Sequence, residues 1–261
     1  MQIWGCYNIP TLRKPRHNTV RRKVNICKMT INGLRRLTLL DYPGRVACTI
    51  FIAGCNLRCP FCHNALLVCD SDGGEIISTD ALFSFLKKRR GMLDGVCITG
   101  GEPTRKKELP ELIREIKALG YSVKLDTNGT NPGMLESLIS EGMVDYVAMD
   151  IKNSSAKYPE TVGLRDFDIT PVRRSVEILL EAGKSGFDYE FRTTVVKELH
   201  EKSDFEEIGR WINGAMHYYL QQFVDSGMLL SAGMTACDEA DMREYLKTVQ
   251  QFIPGAALRG I

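Results

Sequence analysis

The spacing of apolar positions changes in a regular way along this chain. From residue 46 onward, short β-branched runs alternate with longer stretches whose apolar residues recur every three to four positions. Residues 46–52 predict a strand running into Ala53-Gly54. Residues 79–90 predict a helix: Leu82, Phe83 and Leu86 form an apolar stripe, Ser78 can cap its start, and Gly91 stops it. Residues 96–99 predict a second strand. Residues 109–119 predict a helix with Leu112, Ile113, Ile116 and Leu119 on one face, and residues 122–125 a third strand. A short helix at 132–140 and a fourth strand at 145–149 follow. The alternation runs on through a helix at 171–182, a strand at 189–196, a helix at 205–212, a strand at 217–222 and a closing helix at 239–252.

Strands alternating with helices argue for a parallel α/β sheet with right-handed crossovers. Six units are fewer than a closed eight-unit barrel needs, so an open doubly wound sheet and a partial barrel both fit. One regularity favours the barrel. Unusual polar or glycine-rich segments recur just after the first four strands, and in β/α barrels those strand ends form the active-site face.

Composition changes this picture little. The chain has 261 residues, 44% hydrophobic and 25% charged, as expected of a globular protein. No apolar run approaches the roughly 18 residues of a membrane span, and no secretory signal pattern opens the chain. A cytoplasmic location without membrane association is therefore expected. Charge is uneven. Residues 1–28 hold seven basic and no acidic residues, leaving 27 basic against 32 acidic in residues 29–261. The mildly acidic body argues against a nucleic-acid groove. The basic leader reads as a nucleic-acid arm, a targeting peptide, or an upstream stretch before Met29 as the true initiator. The last is favoured, because patterned sequence begins there, so residues 1–28 are set apart from a domain spanning 29–261.

Cysteine usage changes the picture most. Nine cysteines do not form the even framework of a secreted disulfide scaffold. Three of them fall within the loop Cys55-Asn56-Leu57-Arg58-Cys59-Pro60-Phe61-Cys62-His63-Asn64, directly after the first strand. Three thiolates at Cys-x₃-Cys-x₂-Cys spacing can wrap one side of a cubane cluster and leave its fourth iron free of protein, an open position suited to reactivity. The competing reading is zinc with His63 as fourth ligand. Cys62 and His63 are adjacent, however, and aiming both at one ion is awkward. The other cysteines read as packing residues.

This loop resembles that of the radical S-adenosylmethionine (SAM) superfamily. The resemblance implies a partial (β/α)₆ barrel of radical SAM type, a 4Fe-4S cluster on Cys55, Cys59 and Cys62, and SAM chelated to the open iron. One electron then cleaves SAM to methionine and a 5′-deoxyadenosyl radical. Gly100-Gly101-Glu102-Pro103, after the second strand, resembles the family's motif for the SAM ammonium, where bare backbone allows close approach. Phe61 is implied beside the adenine, and His63 either against the adenine or as a support of the loop. Asp126 and Asn128 (in Asp126-Thr127-Asn128-Gly129) and Asp150 and Lys152 (in Asp150-Ile151-Lys152) have a plain turn reading. They also resemble segments of glycyl-radical-enzyme activases that touch SAM or a monovalent cation. Lys152 would then meet the SAM carboxylate, and Asp126 its ammonium or the cation. Arg192, in mid-strand, would be a costly buried charge without an anionic partner, and Gln222 ends the sixth strand. His17, His200 and His217 have no identifiable partner.

Thr38-Leu39-Leu40-Asp41-Tyr42-Pro43-Gly44 and the Cys-His-Asn end of the loop narrow the resemblance to activating proteins of anaerobic ribonucleoside-triphosphate reductase, over residues 29–261. That implies a protein substrate, a backbone glycine of the reductase (an anaerobic ribonucleotide reductase) turned into a glycyl radical. No second ferredoxin-like cysteine set occurs, so an external donor such as flavodoxin or ferredoxin is implied. Arg105-Lys106-Lys107 and the basic leader depart from the pattern. A radical SAM enzyme acting on a pyruvate formate-lyase type enzyme or on a small molecule would share these motifs. A non-catalytic iron–sulfur or zinc partner protein is the non-enzymatic alternative.

Overall fold

A computed structural model describes residues 29–68, 76–225 and 227–261. The expectations for the basic leader, Cys6, Cys27 and Cys69 lie outside the described residues. Strands β1 (Gly33–Thr38), β2 (Ala47–Ile52), β3 (Gly95–Gly100), β4 (Ser122–Thr127), β5 (Tyr146–Asp150), β6 (Tyr189–Val195), β7 (Tyr218–Gln222) and β8 (Ala256–Arg259) form one eight-stranded sheet in sequence order. β1 runs antiparallel to β2, and every later neighbour is parallel. The helices are α1 (Ala65–Val68), α2 (Thr79–Lys88), α3 (Leu109–Ala118), α4 (Pro132–Ser140), α5 (Tyr158–Thr161), α6 (Thr170–Lys184), α7 (Lys202–Trp211) and α8 (Glu239–Gln250).

Strand order decides between the two architectures left open by the sequence. A doubly wound sheet reverses its order at a switch point. Here the order never reverses, so right-handed crossovers put all the helices on one side and the sheet curls away from them. The fold is the partial barrel, with β1 and β8 at its edges.

The period-two pattern of the strands is inverted relative to a filled barrel. Ile50 and Ile52, Val96 and Ile98, Val123 and Leu125, Val147 and Met149, Phe191 and Leu220 are fully buried in one apolar core. They share that core with Leu112, Ile113 and Ile116 of α3 and Val172, Val176 and Leu179 of α6, each such side chain worth roughly 1.5–3 kcal/mol on burial. The alternate positions, on the other face, carry Thr49, Lys124, Asp126, Asp150, Glu190 and Arg192. The concave side is a polar basin.

All six predicted units appear, with boundary shifts of a few residues. Ser78 caps α2 as expected, accepting from Ala81 N at 3.2 Å. Four elements escaped prediction. β1 carries Arg35 and Arg36 on an exposed edge, where one partner strand replaces a buried apolar face. α1, α5 and β8 have four residues each, too few for a period to show. Among the described residues, no helix is long and apolar enough to cross a membrane.

Candidate active site

The C-terminal ends of β2 to β6 open into one cavity holding about 820 Å³ of free space, part of it open to solvent. Cys55, Cys59 and Cys62 line it, as do Phe61, His63, Gly100, Gly101, Asp126, Asn128, Asp150, Lys152 and Arg192. Residues about 140 positions apart in sequence therefore meet at one mouth. Glu102, Pro103 and Gln222 do not line it. Leu57, Asn64, Thr99 and Thr194 do, and sequence reasoning missed them.

The cysteine loop is tied down on three sides. Gly54 N donates to Leu67 O at 2.7 Å and Cys55 N to Val68 O at 3.1 Å, which fixes the loop's start against α1. Arg58 N donates to Val162 O at 2.8 Å, behind α5. The Arg58 guanidinium folds back to Cys55 O and Leu57 O, at 2.8 Å each. Asn56 reaches the β4 exit, donating to Thr130 Oγ1 at 2.8 Å and accepting from Asn128 Nδ2 at 3.0 Å. Gly163 sits at φ +70°, and a Cβ there would stand 2.3 Å from Arg58 O, so only glycine lets the chain pass this close.

All three loop cysteines are free thiols. Burial pushes Cys55 up from its ordinary value and Cys59 up to about 12, so binding iron would expel protons. Among the described residues, no three His, Cys, Asp or Glu side chains close on a single ion. The thiols instead stand around a cavity. That suits a cubane, in which each thiolate takes a different iron, and does not suit the zinc site with His63. His63 stacks on Phe223 (5.4 Å between centroids), and burial lowers its pKa.

The turn after β3 is wedged against the cysteine strand. Gly101 N donates to Ile52 O at 2.8 Å, and a Cβ on Gly101 would meet Gly54 O at 2.4 Å. Glu102 is fully buried. Its Oε1 accepts from Thr104 N (3.0 Å), Thr104 Oγ1 (2.6 Å) and Thr127 Oγ1 (2.8 Å), and its Oε2 from Asn128 N (2.6 Å). Burial pushes the carboxyl up, while these four donors favour its ionised form. Glu102 is thus the knot between the β3 and β4 exits, and Asn128 extends it to the cysteine loop. Pro103 opens a short 3₁₀ turn and is buried.

A chain of alternating charge crosses the basin. Lys152 Nζ donates to Asp150 Oδ2 at 2.9 Å, and Arg192 Nε to Asp150 Oδ1 at 2.9 Å. Arg192 Nη1 reaches Asp126 Oδ2 at 3.3 Å, and Lys124 pairs with Asp126. Deeper, Arg259 grips Glu190 through both oxygens at 2.9 and 3.0 Å, and Tyr146 Oη donates to Glu190 at 2.9 Å. Burial alone would raise the two aspartates. The Arg192 guanidinium and the two lysines outweigh it, holding Asp126 below the usual range and Asp150 at about 2. Arg192 thereby has the anionic partners that its burial demanded, and they belong to this chain. Lys124 and Glu190 were missed, yet a signal was present: opposite charges two apart on a strand (Lys124/Asp126, Glu190/Arg192) point the same way. Gln222 is placed elsewhere. Its Nε2 donates to Cys237 O at 2.9 Å, outside the cavity.

Comparison with known proteins bears on this geometry. The profile of the Radical SAM superfamily matches residues 49–212. A Methanocaldococcus jannaschii protein, provisionally named a glycyl-radical enzyme activating enzyme, is 32% identical over 240 residues, 90% of this chain and 97% of its own length. Pyruvate formate-lyase-activating enzyme of Clostridium pasteurianum is 30% identical over 128 residues, 47% of this chain and 52% of its own length. Among solved structures, Streptococcus suis SuiB bound to precursor peptide SuiA superposes with a TM-score of 0.62 at 18% identity. It covers 81% of this chain and 48% of that one, a likeness of fold alone.

Proposed function

The chain belongs to the radical SAM superfamily, among its glycyl-radical-enzyme activases, and on that premise we propose that it generates a glycyl radical on anaerobic ribonucleoside-triphosphate reductase. The family implies a 4Fe-4S cluster and SAM, and the residues present fit both: three free thiols around open space, a bare-backbone turn and the half-buried ammonium of Lys152. Bound together, these groups supply one-electron cleavage of a carbon–sulfur bond and a carbon radical able to take a hydrogen atom from a glycine.

The chain's own residues supply placement. Cys55, Cys59 and Cys62 would hold the cluster. Lys152 would pair with the SAM carboxylate, and the Gly100–Gly101 backbone would let the ammonium approach the wall. Phe61 and His63 border the adenine. Arg192 acts at one remove, by holding Asp126 and Asp150 in place. A monovalent cation at those aspartates would have to compete with Arg192, Lys124 and Lys152, whose charges already face them. Gln222 ties the end of β7 to Cys237 O. An external one-electron donor, flavodoxin or ferredoxin, completes the cycle.

The observation that carries this reading is the convergence of the three thiols with Gly100–Gly101 and Lys152 on one cavity. The reductase as target rests on the Thr38–Gly44 segment and the Cys-His-Asn loop end. A second reading, a pyruvate formate-lyase type target, draws on the similarity to the clostridial activase. Mixing reconstituted, reduced protein and SAM with each candidate enzyme separates them. A doublet glycyl-radical EPR signal on the reductase supports the first reading. A signal only on the formate-lyase, or on neither, overturns it.

A further inference from the structure

Lys152 lies just beyond β5, outside any strand pairing, yet both of its backbone groups are engaged by side chains. Its N–H donates to Tyr158 Oη at 3.3 Å, and its carbonyl lies 2.9 Å from His200 Nε2. Tyr158 is fully buried, stacked on Phe167 at 5.5 Å. His200 is 4% exposed and packs against Phe205. Its Nδ1 stands 3.1 Å from Val196 N, just past the end of β6. Lys152 O can only accept, so Nε2 carries a proton aimed at it, while Nδ1, which also lies 3.2 Å from Val196 O, takes the shorter Val196 N–H on its lone pair. The residues on either side of Lys152 are fixed as well. Thr193 Oγ1 donates to Ile151 O at 2.6 Å, and Asn153 Nδ2 donates to Leu199 O at 2.9 Å.

One imidazole therefore bridges the exits of β5 and β6, the strands that bring Asp150 and Arg192 to the cavity. A lysine side chain has many accessible rotamers, and clamping its backbone removes one source of wander in its ammonium. We propose that His200 is a positioning residue: as a neutral Nε2–H imidazole it holds the Lys152 peptide, with Tyr158 on the other side, so that the ammonium stands where an anionic group of the bound cosubstrate arrives. This rests on the reading above, in which that group is the SAM carboxylate. Burial lowers the His200 pKa, in keeping with a neutral ring.

The test compares SAM with decarboxylated SAM, which has no carboxylate for Lys152, on anaerobically reconstituted protein by equilibrium dialysis. His200→Leu removes the donor, whereas His200→Gln keeps an N–H of similar reach. His200→Leu should weaken SAM about tenfold, the scale of one charge-assisted hydrogen bond. It should leave decarboxylated SAM within about twofold of wild type, and His200→Gln should recover most of the SAM affinity. Equal weakening of both compounds, or of neither, overturns the proposal. If His200→Leu loses its cluster, Tyr158→Phe carries the same comparison, and a loss confined to SAM is again required. Wild type that binds both compounds equally would instead refute Lys152 as the carboxylate site, and the inference with it. Nitrogen-15 NMR of labelled histidine reads the tautomer separately, and a proton found on Nδ1 at pH 7 contradicts the bridge.

Discussion

Replacing Glu102 by glutamine changes one atom at the knot between the β3 and β4 exits. The carboxylate accepts four hydrogen bonds in a site with no solvent exposure. Glutamine offers a single acceptor oxygen. Placed at the Oε1 position, it keeps the three threonine-derived bonds and turns its NH₂ toward Asn128 N, which stands 2.6 Å from the present oxygen. A backbone donor is then left facing a donor in a dry site, at a cost of about 1–3 kcal/mol. Weakening of the three surviving bonds from ionic to neutral acts in the same direction. The desolvation no longer suffered by a buried charge opposes it by a similar amount. The net expectation is a loss of about 1–3 kcal/mol, or roughly 3–10 °C in Tm for a chain of this size. Glu102→Ala, with no acceptor at all, should lose more, about 3–6 kcal/mol. Anaerobic thermal unfolding of the apo-protein measures both, and iron content after reconstitution tests whether the shift of Asn128 reaches Asn56 and the cysteine loop. A Glu102→Gln protein within 1 °C of wild type, or a glutamine variant less stable than the alanine one, would refute the assignment of Oε2 to Asn128.

Other expectations follow from the same geometry. Alanine at Cys55, Cys59 or Cys62 should each abolish retention of iron after anaerobic reconstitution. Alanine at fully buried Cys48 or Cys97 should keep the iron and cost only about 1–2 kcal/mol of packing; iron loss in the second set would mean the ligands are wrongly assigned. Gly163→Ala forces a side chain into the left-handed region and against Arg58 O, so stability should fall by about 2–4 kcal/mol, with iron retention impaired; an unchanged Tm would contradict that contact. Asp126 and Asp150 have pKa values below their unfolded range, so the stability they confer is complete above about pH 4. It is lost as pH falls toward the Asp150 value of about 2. Arg192→Met removes the main cause of that depression and should move acid unfolding, followed by circular dichroism, to higher pH by about one unit. Coincident acid-unfolding curves would refute the charge chain.

Much of this molecule was legible in its residues because two periods do most of the specifying. The apolar stripes of α2, α3 and α6 and the β-branched runs marked six strand–helix units, and local chemistry marked the loops between them. The cysteine loop and Gly100-Gly101 could be read because the roles proposed for them constrain backbone and ligand type over a few contiguous positions. What stayed hidden is relational. Arg192 read as a buried charge in need of an anionic partner, since nothing local reveals that Asp126 and Asp150, some forty and more positions away, would face it. Lys124 was passed over, because alternation distinguishes two faces without saying that the polar one is enclosed. His200 read as an unpartnered histidine; its partners are the backbone of Val196 and Lys152, and backbone partners carry no sequence signature. β1 was missed because its edge position removes the apolar alternation that marks a strand.

The central claim is that three cysteines on one loop leave an iron open to SAM within this cavity. Its most direct measurement is the EPR spectrum of the anaerobically reconstituted, reduced protein before and after addition of SAM, with 5′-deoxyadenosine assayed in the same tube. The account predicts a 4Fe-4S signal that changes on adding SAM, release of 5′-deoxyadenosine, and loss of both in Cys59→Ala. A reduced cluster whose spectrum ignores SAM, with no 5′-deoxyadenosine formed, would contradict it.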